Sequence, residues 1–183
     1  MILSKPIALE GTAILAAEAE AALRAGGADA ADLRAARTLL DEPGVSVLPE
    51  SRILCRGTLP HALHDVTEGG LATALRELAE ASGVGLRIQR DAIPILPACS
   101  QLCSILGLDP LGLIGSGSLL AAVAPEDAEE ACTALRSAGL SGACIGAVTD
   151  GSALELVEAD GRQSSLPVFD RDEIARYFEE RAE

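Results

Sequence analysis

Aromatic residues are almost missing from this 183-residue sequence, which has no Trp, one Tyr and two Phe. Recognition by stacking on bases or sugar rings is therefore nearly excluded, and any core must be assembled from Leu, Ala, Ile and Val. Basic charge is scarce too. Fourteen Lys and Arg stand against 28 Asp and Glu, giving a formal net charge of -14. Such a balance repels a polyphosphate backbone and disfavours nucleic acid or an anionic membrane as partner. A solvated acidic surface is its simplest meaning. No apolar run reaches the ~18 residues that a membrane span requires, and no charged-then-apolar leader opens the chain, so a cytoplasmic location is expected.

The five cysteines, Cys55, Cys99, Cys103, Cys132 and Cys144, are an odd number. A chain long enough to bury its own core needs no disulfide staples, and the count points to a reducing compartment. Cys99 and Cys103 lie four apart on an expected helix and share a face. Two small buried thiols are the preferred reading over a metal pair. The spacing offers no closed set of four ligands, so no metal site is expected.

What is present is a 49% hydrophobic chain with clear punctuation. Residues 12–25 have helical composition and stop at Gly26-Gly27. Residues 29–44 repeat the plan, with Asp29 as cap and Pro43-Gly44 as stop. "PESRILCRG" (49–57) offers a short helix with Pro at its first position, and "LPHALHDV" runs extended into "TEGG". From Gly69 onward, Leu71, Leu75, Leu78 and Ala79 line one face of a helix closed by Gly83. "LRIQRD" reads as a strand and 97–106 as a helix after Pro94 and Pro97. "SLLAAVA" (118–124) reads as a buried strand, 125–139 as a helix, and "GACIGAV" as a strand paired with "ALELVEA" across Thr149-Asp150-Gly151-Ser152. The expectation is one α+β domain over residues 1–183, with helices packed on a mixed sheet.

Chemistry concentrates in two glycine-containing stretches. In "HDVTEGG", Gly69 and Gly70 open a helix whose unpaired N–H groups favour a carboxylate or phosphate. Taken singly, these residues read more simply as structure, with Thr67 capping that helix and Glu68 complementing its dipole. His64 can act as acid, base or donor and Asp65 could orient it or hold a cation, although an extended segment sends their side chains to opposite faces. His61, three residues earlier, reads as a surface or strand-edge histidine. "GLIGSGSLL" brings Ser116, Gly117 and Ser118 straight into a strand, as an anion loop or a plain turn, without the lysine of a P-loop. Lys5, the sole lysine, sits beside Pro6 with Glu10 and Gly11 ahead of a helix. An anion partner and an edge-strand lysine are evenly matched readings of it.

Together these stretches resemble the C-terminal domain of the aminoimidazole ribonucleotide (AIR) synthase superfamily, the PurM-like fold. The resemblance rests on "ILSKPIALEGTAILA" (2–16), "HDVTEGGLATALRELAEASGVGL" (64–86), "IPILPACSQLCSILGLDPLGLIGSGSLLAAV" (93–123) and "IGAVTDG" (145–151), four matches in order over nearly the whole chain. It is strongest to the HypE-like, AIR synthase-related hydrogenase-maturation factors. Two departures stand out: HypE usually has Arg where this chain has Glu68, and HypE ends in a Cys whereas no Cys follows Cys144 here.

The resemblance implies α/β/α layering and an ATP-dependent enzyme of ligase or dehydratase type. ATP and Mg2+ would be bound mainly by an N-terminal half that this sequence does not contain, so the chain would be a fragment with no cofactor of its own and no turnover alone. Its implied partners are a small-molecule substrate, its own N-terminal domain and a second copy in a homodimer. His64 and Asp65 would be the catalytic pair. Thr67, Glu68, Gly69, Gly70, Ser116, Gly117, Ser118 and Lys5 would hold substrate or phosphate, with Glu10 near the cleft mouth. A different class, a free-standing module that binds a small anion or a protein without catalysis, is the alternative; a native chain of 18.7 kDa would favour it.

Overall fold

In the computed structural model, which describes residues 1–57 and 59–181, the first strand of the chain lies inside a sheet. β1 (Ile2–Ser4) is flanked by β4 (Ser118–Ala122) and β5 (Gly142–Cys144), and β2 (Ala62–Val66) forms the other edge beside β4. All pairings in this first sheet are antiparallel. Strand alternation divides its side chains between two helical layers. Ile2, Leu119 and Ala121 pack with Leu54 of α4 (Leu48–Gly57) and with Ala131, Cys132 and Leu135 of α7 (Ala128–Ser137). Leu3, Leu120 and Ala122 join the larger core on the opposite face.

That larger core is fed by α1 (Leu9–Glu18), α2 (Glu20–Ala25), α3 (Ala30–Arg37), α5 (Gly70–Ser82) and α6 (Pro97–Leu106). The periodicity of α5 is realised as expected: Leu71, Leu75, Leu78 and Ala79 are all buried and Gly83 ends the helix in the left-handed region. Each fully buried Leu contributes about 1.5–3 kcal/mol relative to an exposed one. Asp29 caps α3, its Oδ1 accepting the Ala31 N–H at 2.6 Å. The helix expected over 12–25 starts earlier, at Leu9, and breaks at Ala19 into α1 and α2. The one expected over 29–44 gives way after Arg37 to a single 3-10 turn.

The second sheet runs β6-β3-β7-β8, with β3 (Gly85–Gln89), β6 (Gly146–Thr149), β7 (Leu154–Val157) and β8 (Gln163–Ser165). β3 pairs parallel with β7 and antiparallel with β6, so this sheet alone is mixed. Two sheets thus replace the single one expected. "GACIGAV" is not one strand: it is divided at Ile145 into β5 in the first sheet and β6 in the second. Nor does it form a hairpin with β7, because β3 inserts between them, Leu86 facing Val148 on one side and Leu154 on the other. α8 (Glu173–Glu179) closes the described chain, with Tyr177 in the core. The α+β class and the layering agree with expectation.

Candidate functional site

β2 ends at Val66 and the chain turns through Thr67 and Glu68 into two consecutive left-handed glycines, Gly69 (φ 75) and Gly70 (φ 65), the second of which opens α5. Gly70 is required twice over. Its φ disfavours any other residue, and a Cβ would stand 2.6 Å from the Leu111 carbonyl oxygen. The Thr67 carbonyl accepts from the Gly70 N–H and from the Gly115 N–H, both at 3.1 Å. The loop containing Gly115 is in turn tied to the start of α1, through Gly11 N–H to Ile114 O at 3.0 Å and Ser118 Oγ to Pro6 O at 2.8 Å. Three segments, 6–11, 67–70 and 114–118, are therefore knotted together at one end of the first sheet.

The predicted residues divide between the rim of this knot and its scaffold. Asp65, Thr67 and Glu68 are exposed and Ser116 is half-buried. His64 lies on the α5 side of β2, its Nε2 3.0 Å from Glu77 Oε2 and its Nδ1 2.7 Å from the Asp65 carbonyl oxygen. Both atoms facing the ring are acceptors, so each nitrogen that carries a proton has a partner. The Asp65 carboxylate itself stays 3.9 Å from Nδ1, too far for a hydrogen bond. His61 is exposed.

Lys5 is not at a strand edge. It follows an interior strand with φ 52, is 3% exposed, and donates to Gly44 O at 3.0 Å and Ser46 O at 2.8 Å. Its Nζ also lies 3.0 Å from Oε1 of Glu50, which is fully buried. That contact is a charge pair, and among the described residues neither carboxylate oxygen of Glu50 has a hydrogen-bond partner. The ammonium is thus turned inward onto the 44–50 segment. Ser118 is likewise fully buried, its hydroxyl given to Pro6. Gly117 packs against Gly44 and Val45.

The amides expected to be open for a ligand are occupied from within. The Gly70 N–H is spent on Thr67 O, and the Gly69 N–H donates to Asp172 Oδ2 at 2.7 Å. Sequence reasoning missed Asp172. An Asp-Glu pair ahead of "IARYF" signals a helix cap, and Asp172 Oδ1 does accept the Ile174 N–H at 2.9 Å. Nothing local reveals that its other oxygen reaches 103 residues back. The opposite case is Glu10, in the first turn of α1, whose Oε2 is buried and has no hydrogen-bond partner among the described residues.

Among the described residues, no group of three or more His, Cys, Asp or Glu could hold a metal ion. Cys99 and Cys103 are buried thiols that share a hydrogen bond, and this bond together with burial pushes Cys103 above the ordinary thiol range. No described helix is long and apolar enough to cross a membrane.

The family described as AIR synthase related protein, C-terminal domain, matches residues 1–158. The chain belongs to that family. Within the AIR synthase related group, carbamoyl dehydratase HypE of Rhizobium leguminosarum bv. viciae is 37% identical over 110 residues, covering 59% of this chain and 31% of that protein. The same enzyme of Escherichia coli K12 is 33% identical over 132 residues, 71% of this chain and 35% of its own. The crystal structure of E. coli HypE, a hydrogenase maturation protein, superposes with a TM-score of 0.77 at 27% identity, over 97% of this chain and 52% of that one. A HypE crystal structure in complex with ATP gives 0.67 at 27% identity, over 94% and 51%. This AIR synthase related chain is HypE-like, and it spans about half the length of the HypE chains it superposes on.

Proposed function

We propose that this chain is the substrate-side, C-terminal domain of an ATP-dependent HypE-like enzyme, in which a nucleotide-binding half completes the active cleft. The supporting observation is the knot at the Thr67 carbonyl, which gathers Asp65, Thr67, Glu68 and Ser116 at the end of the first sheet, beside the lead-in to α1. The reaction is a dehydration or ligation in which ATP activates the oxygen of a carbamoyl or amide group. ATP and Mg2+ are bound mainly by the other half. The intact enzyme works in the cytoplasm as a homodimer.

The geometry favours a division of labour. Asp65, Thr67, Glu68 and Ser116 meet the substrate, and His64, braced by Glu77, is the proton carrier beside them. Gly69, Gly70, Gly117, Ser118 and Lys5 shape the wall from behind. In the whole enzyme, Asp65→Asn and Glu68→Gln lower kcat for ATP hydrolysis with a carboxamide acceptor by about 100-fold each. Their thermal midpoints stay within about 2 °C of wild type, because both side chains are exposed. Wild-type rates in both variants would remove the motif from the mechanism. A native mass near 18.7 kDa would remove the two-half enzyme and leave a binding module.

A further inference from the structure

Residues 166–179 lie beyond the 1–158 span of the family match, yet they touch both walls of the candidate site. The segment leaves β8 with Leu166 buried, its N–H given to Leu154 O and its carbonyl facing Arg76 of α5. Phe169 then lies flat against Gly112, where a Cβ would come within 2.6 Å of the ring. Asp172, 4% exposed, bridges the Gly69 and Ile174 amides with its two oxygens. Arg176, held by Glu173, reaches the Gly107 carbonyl at 3.0 Å. One strand of chain thus grips the 67–70 turn at one point and the 107–112 approach to the Gly115 loop at two others.

We propose that residues 166–179 are a strap that latches the site turn through Asp172, making Asp172 the positioning residue for Thr67 and Glu68. Two consecutive glycines are the least self-ordering pair a turn can have, since each samples left- and right-handed conformations freely. The Thr67 carbonyl is fixed by Gly115, but the Gly69 amide has no partner inside the turn; Asp172 supplies it. A carboxylate acceptor makes a stronger bond than a neutral one, and at a helix N-terminus it also meets the positive end of the peptide dipoles. With both oxygens committed to N–H groups, Asp172 cannot be replaced by Asn without turning an NH2 towards one of them. The latch is internal, so the turn is held before any substrate arrives.

The positioning role rests on the function proposed above; the latch itself does not. Hydrogen exchange read by mass spectrometry on the whole protein tests the latch. In Asp172→Ala, amides within 66–71 exchange about tenfold faster, Asp172→Asn falls between, and peptides from β1 and β4 keep wild-type rates. Should Asp172→Ala fail to fold, Phe169→Leu, which loosens the strap and leaves the carboxylate in place, gives the same local acceleration to a smaller extent. Unchanged exchange at 66–71 in the folded variants overturns the latch. In the active enzyme, Asp172→Asn lowers kcat about fivefold at unchanged KM for ATP. A fall confined to KM overturns the positioning role. A wild-type enzyme without ATP turnover sinks the proposed function and leaves the exchange result standing.

Discussion

Two helices begin at the candidate site through left-handed residues, and they are completed in opposite ways. α5 starts from Gly69, where φ of 75 costs nothing, and its first amide is satisfied by a buried carboxylate from the far end of the chain. α1 starts from Ala8, which holds φ 58 with a side chain in place, and no capping side chain serves it. The Thr12 hydroxyl donates to Ala8 O at 2.6 Å. Glu10, in the first turn, keeps a buried oxygen without a hydrogen-bond partner among the described residues. Backbone strain and an unpaired buried acid are features that cluster at functional sites across proteins, and both fall at the start of α1. The α5 side is finished by the protein's own carboxylate, whereas the start of α1 keeps its strain and its unpaired oxygen.

Removing the buried ammonium in the lead-in to α1 has the largest effect. Lys5→Met strands the Glu50 carboxylate in the core and lowers unfolding free energy in urea by about 3–5 kcal/mol. The double variant with Glu50→Gln recovers much of that loss.

On the finished side, Gly70→Ala costs about 3 kcal/mol, the left-handed penalty plus a collision with the Leu111 and Leu113 carbonyls. Gly83→Ala, at φ 66 with nothing within 4 Å of a new Cβ, costs only ~1 kcal/mol. The difference between the two, read from the same denaturation curves, measures how tightly the turn is boxed in.

Glu10→Gln moves stability the other way, raising it by about 1 kcal/mol while turnover of the whole enzyme falls. A destabilised Glu10→Gln protein would place Glu10 with the scaffold and erase the contrast.

The smallest effect lies outside the site. Arg37 hydrogen-bonds Glu20 and holds its carboxyl below the ordinary value of 4.5. The stabilisation is complete above that value and is lost as pH falls through the lowered one. Wild type therefore loses slightly more thermal stability than Glu20→Gln between pH 6 and pH 3. Equal losses would show the pair to be fully solvated.

How far the sequence carries the fold depends on how local each cause is. α5 was legible because Leu71, Leu75 and Leu78 repeat at helical spacing and Gly83 ends the pattern; Asp29 was legible because a cap acts two residues away. The division of "GACIGAV" was not, because which strand borders each half is decided by β1 and β3, more than 50 residues distant in the chain. For the site, the gathering of "TEGG" with "GSGS" was readable as two glycine-rich loops in one family pattern. The inward turn of Lys5 was not, since a lone lysine beside proline carries no mark of the buried Glu50 that claims it. Asp172 was half legible, as a cap for its own helix and silent about Gly69.

Ile145, the residue at which that division falls, has a mechanical meaning. Its N–H bonds to Met1 O at 2.9 Å in the first sheet, and its carbonyl accepts from Gln89 at 2.8 Å in the second. A single buried residue is thus stitched to both sheets, one hydrogen bond to each. The junction between the sheets is therefore a single residue with no loop between β5 and β6. A displacement of β6 cannot be taken up between the sheets; it pulls directly on β5 and, through the Met1 carbonyl, on β1.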